Sequence, residues 1–363
     1  MNDKVVFALP SLAHGGAQKV FLELVTYLST QGNNVCLLCL DREGELIEQL
    51  PHGIQMVYFS NAENTGGVIF RRVKQWFKFR QWIKRNKVGV VYSTITGMNL
   101  FVSSCFLFSR NTTIVIREAS SFENIRSRFI YFIMYLFYRR ANTIICTSEY
   151  VKEQFLKLSF CSEKLVVIPN PIDQEKIIRL SNMNVKDVPS EFDGYTIIAV
   201  GRLIEAKGFD ILIDAYKDLM LRLNCRLIII GEGPERHNLE SQIRALGQAA
   251  DVKLLGYRDN PYAFMALADL YVLSSRWEGY VNTVVEAMVL GIPIVATDCN
   301  SEPGKILRDE LGQDLVASED PSSLANAMEA NLLSGDKPDY KKVLARHNME
   351  FAGKQYMECC IDH

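Results

Sequence analysis

LYVLSSRWEGYVNTVVEAMVLGIPIVAT, residues 270–297, holds a whole strand–helix–strand unit. Leu270–Ser274 reads as a short strand buried on both faces, a helix starts near Asn282, and Pro293–Thr297 returns to an apolar strand. Two strands joined by one helix are parallel neighbours in a sheet. The same alternation extends outward in both directions. Upstream in this half lie strand candidates Tyr195–Val200, Cys225–Ile230 and Val252–Leu255, and downstream Asp314–Ala317. The first half repeats the pattern with Lys4–Leu9, Asn34–Leu40, Gln55–Phe59, Gly89–Ser93, Thr112–Arg117, Thr143–Thr147 and Leu165–Ile168. Between the first two, Val20, Phe21, Leu24, Val25 and Leu28 recur at helical spacing and predict one core-facing stripe over Ala17–Thr30. Pro169-Asn170-Pro171 interrupts the series, and a polar stretch reaches Pro189. The expectation is an α/β chain with two doubly wound parallel sheets, one domain over 1–187 and a second over 188–339, and a terminal helix over 340–360.

The length of 363 residues suits two domains, and 48% apolar with 23% charged residues is a globular composition. A net charge of −2 excludes binding of nucleic acid through bulk charge. The two halves differ: residues 1–186 hold 23 Lys and Arg against 14 Asp and Glu, and the rest holds 17 against 28. Nine cysteines, an odd number at irregular spacings, read as reduced thiols; Cys36 and Cys39 form a C-x-x-C, but inside an apolar run and without a second pair that would make a zinc site. The N-terminus lacks the basic-then-apolar pattern of a signal peptide. The apolar run Phe129–Tyr138 is half of the roughly 20 residues a spanning helix needs.

In parallel sheets ligands bind at the carboxyl ends of strands, so the loops there carry the chemistry. After the first strand, Gly15-Gly16 opens a helix, where backbone N–H groups can meet an anion; the absence of G-x-G-x-x-G argues against a nicotinamide dinucleotide. After Tyr195–Val200 comes Gly201-Arg202-Leu203-Ile204-Glu205-Ala206-Lys207-Gly208, a glycine turn with two cations suited to a diphosphate. Gly231-Glu232-Gly233-Pro234 follows the next strand. In the opening stretch, Glu278 precedes the helix and Glu286 lies about one turn inside it; carboxylates suit ribose or sugar hydroxyls, and the N–H groups of Asn282 and Thr283 suit an anion.

Together these four elements resemble the retaining glycosyltransferases of family 4, with the two-domain GT-B fold of two Rossmann-like domains facing a cleft. Gly-Gly-Ala-Gln, Gly-Arg-Leu-x4-Lys-Gly, Gly-Glu-Gly-Pro and Glu-x7-Glu occur in family order across nearly the whole chain, joined by Ile168-Pro169-Asn170-Pro171 and Gly291-Ile292-Pro293. The resemblance is nearest to bacterial enzymes that extend lipid-linked oligosaccharides for O-antigen, capsule or glycoprotein glycans. It implies that Arg202 and Lys207 bind the donor diphosphate, that Glu286 holds the ribose, and that Glu278 lies by the donor sugar and phosphate. It further implies backbone contacts from Tyr280, Val281, Asn282 and Thr283, from Gly231 and Gly233, from Gly15 and Gly16 of the other domain, and around the base near Tyr257. The helix 340–360 is expected to return to the first domain. Val281 stands where the family usually has Pro. Glu118 occupies the region where several branches place a His, which makes it an acid–base candidate. The implied reaction is front-face attack with retention and with the leaving phosphate taking the acceptor proton. The chain has no D-x-D pair to bridge a metal to the diphosphate, so neither metal nor cofactor is expected.

Residues 66–87 carry eight cations and no acid. On a helical wheel Ile69, Val73, Trp76 and Ile83 form the expected core face, with Arg71, Lys74, Lys78 and Arg85 opposite and Phe79 and Trp82 toward the edge. Residues 124–140 combine aromatic residues with flanking arginines. Both stretches fit an anionic membrane surface and a lipid-linked acceptor, without a nucleic-acid motif. The expected protein is a cytoplasmic, peripheral enzyme of the inner membrane face using a nucleotide-sugar, with UDP favoured. The alternatives are a non-catalytic nucleotide-sugar-binding subunit and a GT-B epimerase or phosphorylase.

Overall fold

The computed structural model describes residues 4–360 apart from His14, 51–52, 62–66, 107–110, 119–127, Cys161, 186–191, 248–250, Gly279, 300–301 and Asp314. Among these residues the chain forms two compact units: Met1–Pro171 with Arg346–His363, and Ile172–Ala345. The chain enters the second unit at Ile172 because Ile172 and Ile177 are buried in its core.

The first unit has strands β1 (Lys4–Leu9), β2 (Val35–Arg42), β3 (Gln55–Asn61), β4 (Val88–Thr94), β5 (Thr113–Glu118), β6 (Thr143–Cys146) and β7 (Leu165–Val167). Its helices are α1 (Gly16–Thr30), α2 (Val68–Arg85), α3 (Thr96–Cys105), α4 (Arg128–Tyr138) and α5 (Glu149–Lys157). The second unit has α6 (Gln174–Ser181), β8 (Tyr195–Val200), α7 (Phe209–Leu219), β9 (Cys225–Ile230), α8 (Arg236–Ala245), β10 (Val252–Leu254), α9 (Tyr262–Met265) and β11 (Leu270–Leu273). It continues with α10 (Asn282–Val289), β12 (Ile294–Ala296), α11 (Glu302–Lys305), α12 (Pro321–Ser334) and α13 (Lys341–Arg346); α14 (Met349–Glu358) belongs to the first unit.

Both sheets are parallel throughout, in the orders β3-β2-β1-β4-β5-β6-β7 and β10-β9-β8-β11-β12. Each order reverses once, between β1 and β4 and between β8 and β11. Connections leave in opposite directions there, which opens a crevice at the strand ends. The stripe expected on α1 is buried as read, and Leu22 joins it. The thiols of Cys36 and Cys39 face opposite sides of β2, in two different cores, so they cannot pair; burial pushes them up to about 11 and about 12.

Three expectations are corrected. Asp314–Ala317 is not a strand among the described residues: Val316 makes a single bridge to Thr297. The terminal helix is two helices, because Asn348 stops the first and caps α14, its side chain accepting from Phe351 N at 2.6 Å. The core face of α2 is Gln75, Phe79 and Ile83; Ile69, Phe70, Val73 and Phe77 face outward, 81%, 73%, 50% and 63% exposed. A buried polar cluster sets this rotation. The Gln75 amide donates to Leu40 O at 2.9 Å, Asp41 Oδ1 at 2.8 Å and Ser60 Oγ at 2.7 Å, and Arg72 pairs with Asp41 at 3.0 Å. Burial alone would raise the Asp41 carboxyl, but Ser60, Gln75 and the arginines outweigh it and hold it below its ordinary value. Buried donors and acceptors must be paired, and this rotation pairs them.

Candidate active site

The second unit gathers most of the predicted residues at its switch point, in the loops after β8 and β11. The β8 loop is joined through the backbone to the loops after β9 and β11, and the β9 loop to the one after β10. Gly201 N–H donates to Ile230 O at 2.9 Å, Leu203 N–H to Glu232 O at 3.0 Å, and Gly231 N–H to Gly256 O at 3.0 Å, so the ladder continues past the strand ends. Gly231 sits at φ +150°, and a Cβ on it would lie 1.8 Å from Gly201 O; one on Gly233 would lie 2.3 Å from Leu203 O. The glycines read as ligand-facing are therefore needed first so that neighbouring loops can touch. Gly208, at φ +59°, plays the same part against Ser274 O, while Ser274 Oγ donates to Lys207 O at 2.9 Å.

This packing delivers Lys207 to Glu278. The ammonium lies 2.5 Å from Glu278 Oε1, which also accepts from Ser275 Oγ at 2.9 Å, and both charged side chains are about 15% exposed. The lysine stem lies across Gly201, where a Cβ would come within 2.9 Å of Lys207 Cε. Arg202 is exposed and makes no side-chain hydrogen bond or ion pair among the described residues. Val281, buried in the core, precedes the first residue of α10, and the Val281 side chain does not cap that helix, whose N-terminus is the positive end of its dipole. Tyr280, Asn282 and Thr283 line this end, half-buried. Glu286 is buried in the next turn and accepts from Tyr262 OH at 3.1 Å. Tyr257, at the end of the β10 loop, is exposed.

Sequence reading missed the residues that hold this constellation. The Tyr271 hydroxyl shares a 2.7 Å hydrogen bond with Thr283, and its acidity is suppressed by burial and further by Glu286 and Glu278. In the sequence Ser275 and Arg276 are marked only as polar residues after a strand, and Tyr262, the first residue of α9, by nothing. Among the described residues no cluster of three or more His, Cys, Asp or Glu side chains could hold a metal ion. A cavity of about 350 Å³, lined by Phe209, Glu235, Asn238, Gln242 and Arg276 among others, includes none of the predicted donor residues. Its polar groups largely pair with one another, so it is not where the charges point.

In the first unit, Gly15 precedes α1 in an extended conformation, Gly16 is exposed, and no side chain caps the helix. Glu118 ends β5 and is fully buried. Its carboxylate accepts from Tyr138 OH at 2.9 Å, Thr96 Oγ1 at 3.1 Å and Asn99 Nδ2 at 3.4 Å. On the opposite face of β5, Arg117 is also fully buried; it donates to Thr94 Oγ1 at 2.9 Å and to Asn170 Oδ1, and lies 5.8 Å from the Phe21 ring.

The comparisons with known proteins agree with this architecture. The family model Glycosyltransferase Family 4 matches residues 14–176, and Glycosyl transferases group 1 matches 184–347. An uncharacterized glycosyltransferase of Methanocaldococcus jannaschii is 31% identical over 67% of this chain and 63% of its own length, so the match spans just under two thirds of that relative. The N-acetylgalactosamine-N,N'-diacetylbacillosaminyl-diphospho-undecaprenol 4-alpha-N-acetylgalactosaminyltransferase of Campylobacter jejuni is 26% identical over 90% of this chain and 89% of its own. Among solved structures, Anabaena HepE in complex with UDP and glucose superposes with a TM-score of 0.79, at 19% identity, over 98% of this chain and 99% of that one; this likeness bears on the fold. Two parallel α/β units, each matched by a glycosyltransferase module, make the chain a member of the GT-B glycosyltransferases.

Proposed function

We propose that the chain moves a sugar, with retention at the anomeric carbon, from a UDP-sugar to a lipid-linked saccharide in bacterial surface-glycan synthesis. The observation that carries the reading is the 2.5 Å Lys207–Glu278 contact at the β8/β11 switch point, beside exposed Arg202 and the N-terminus of α10. A leaving diphosphate there meets two cations and helix N–H groups, which stabilise the charge it gains without a metal. Glu278 then faces the donor sugar, Glu286 the ribose, and the Tyr257 loop the base. The leaving phosphate takes the acceptor proton. Glu118, already committed to three donors, moves none. The Campylobacter relative's name supplies the lipid-diphosphate acceptor, and HepE's bound UDP supplies the nucleotide.

The same reading puts the protein at the inner face of the cell membrane. The outward ridge Ile69, Val73 and Phe77 on α2 runs beside Lys74 and Lys78, and Phe132 and Leu136 are exposed on α4, whose buried side packs into the same core. Residues 124–127 of the second basic–aromatic stretch lie outside the described residues. No helix among the described residues is long and apolar enough to cross a membrane.

Turnover of a nucleotide-sugar panel with a polyprenyl-diphosphate saccharide, with and without EDTA, tests the reading. An α-linked product from a UDP-sugar in EDTA is expected. Nucleotide binding without turnover would favour a non-catalytic subunit, and metal-dependent turnover would overturn the metal-free mechanism.

A further inference from the structure

We propose that Arg276 is the positioning residue of this site: it clamps the loop carrying Lys207 to the loop carrying Glu278, and so sets where the lysine meets the donor diphosphate. The inference rests on the reading of Lys207 as a diphosphate ligand. Arg276 stands two residues before Glu278, and its contacts bracket Lys207 on both sides. Its backbone N–H donates to Ala206 O at 2.8 Å, and Nη1 donates to Glu205 O at 2.9 Å. On the far side of Lys207, in the first turn of α7, Asp210 receives both guanidinium arms at 2.7 Å each. Nε turns to a third segment, Glu319, just before α12.

Three features separate this from an ordinary surface ion pair. The Arg276 side chain is 14% exposed, and its N–H groups are taken up by two carboxylates and a carbonyl on three segments, a geometry that a planar fork supplies and an ammonium does not. Glu319 holds a left-handed backbone at φ +68°, unusual for a residue with a side chain, while it reaches Arg276. The pairing also dominates the carboxylate: burial alone would raise Asp210, yet hydrogen bonds and charge from Arg276 hold it below its ordinary value, and Arg276 itself is pushed above its own. Among the described residues Arg276 makes no hydrogen bond or ion pair with the Glu278 or Lys207 side chains, so its effect passes through the loops. A catalytic charge displaced by about 1 Å loses on the order of a hundredfold in rate, which is the scale such a clamp protects.

The test is calorimetric titration of the full chain with UDP, and with GDP as a second probe, needing no acceptor. Wild type, Lys207→Ala, Arg276→Ala, Arg276→Lys, Asp210→Asn and the double variant Arg276→Ala/Lys207→Ala are compared, each checked for a native melting transition. Arg276→Ala is expected to weaken UDP binding by about tenfold, with Arg276→Lys and Asp210→Asn between it and wild type. On the Lys207→Ala background, removing Arg276 should cost less than about threefold more, because the group it positions is already gone. Wild-type affinity in Arg276→Ala, or an equal loss on both backgrounds, would overturn the proposal. If Arg276→Ala does not fold, wild-type affinity in both Arg276→Lys and Asp210→Asn overturns it. Wild type binding neither nucleotide, or Lys207→Ala binding like wild type, would instead remove the diphosphate reading on which it stands.

Discussion

Each unit has a parallel sheet, one reversal of strand order and a glycine-bearing loop at that reversal, yet the two reversals are built differently. At β8/β11 the loops interlock: Gly208, Gly231 and Gly233 let backbones touch, Gly201 makes room for the Lys207 stem, and Lys207, Glu278, Arg276 and Asp210 pair across them. At β1/β4 the charges are sunk on the two faces of β5, as Arg117 and Glu118, and Gly15 has only the flexible Gln18 side chain near it. Here Ile95 is held at φ +72° directly before α3, an outlier for a β-branched side chain. The lesson is one of preorganisation. The second unit fixes charged groups at its strand ends, as a site that stabilises a leaving anion requires, while the first keeps its charges inside and presents backbone and an apolar-basic surface.

The largest effect tests the locked side. Lys207→Ala and Arg202→Ala should each cost about 2–4 kcal/mol of transition-state stabilisation, read as kcat/KM. Lys207→Ala should be the worse, because it leaves Glu278 without its ion pair. Near-wild-type turnover in both folded variants would break the assignment of charge to this side.

Glycine substitution sharpens the contrast through stability. Gly231→Ala drives a methyl into Gly201 O at a positive φ and should cost about 2–4 kcal/mol in denaturant unfolding. Gly15→Ala meets first the flexible end of Gln18 and should change stability by less than about 1 kcal/mol. Equal losses at the two positions would show that the loops are alike.

On the surface of the first unit, Lys74→Glu with Lys78→Glu should release the protein from anionic liposomes, since each cation near such a surface contributes about 1 kcal/mol. Phe77→Ser with Ile69→Ser should weaken the binding that survives high salt, where charges are screened. Unchanged co-sedimentation of both pairs would return α2 to a solvated face.

The smallest effect on catalysis concerns Glu118. Glu118→Gln should lower stability by about 1–3 kcal/mol, because an oxygen that can face three buried donors is replaced by an NH2 that accepts nothing, and should leave the shape of the pH–rate profile unchanged. A lost limb in that profile would restore it as an acid–base group.

By itself the sequence determined what depends on local pattern. Continuous Val and Ile runs mark parallel strands, so β1, β8 and β9 were legible to the residue. Because ligands gather at strand ends, the loops holding Lys207 and Glu278 were legible with them. Tertiary structure decided what depends on partners distant in the chain. The helix α2 has apolar residues on more than one side, and periodicity alone turned Ile69 and Val73 inward; Asp41 and Ser60, on β2 and β3, instead set the core face by pairing with the Gln75 amide. Arg276 is one more charged residue in a loop until Asp210 and Glu319, 66 and 43 positions away, are folded around it. A hydrophobic pattern is written along the chain and can be read there, but the pairing of a buried polar group is a property of two positions at once, and only folding brings them together.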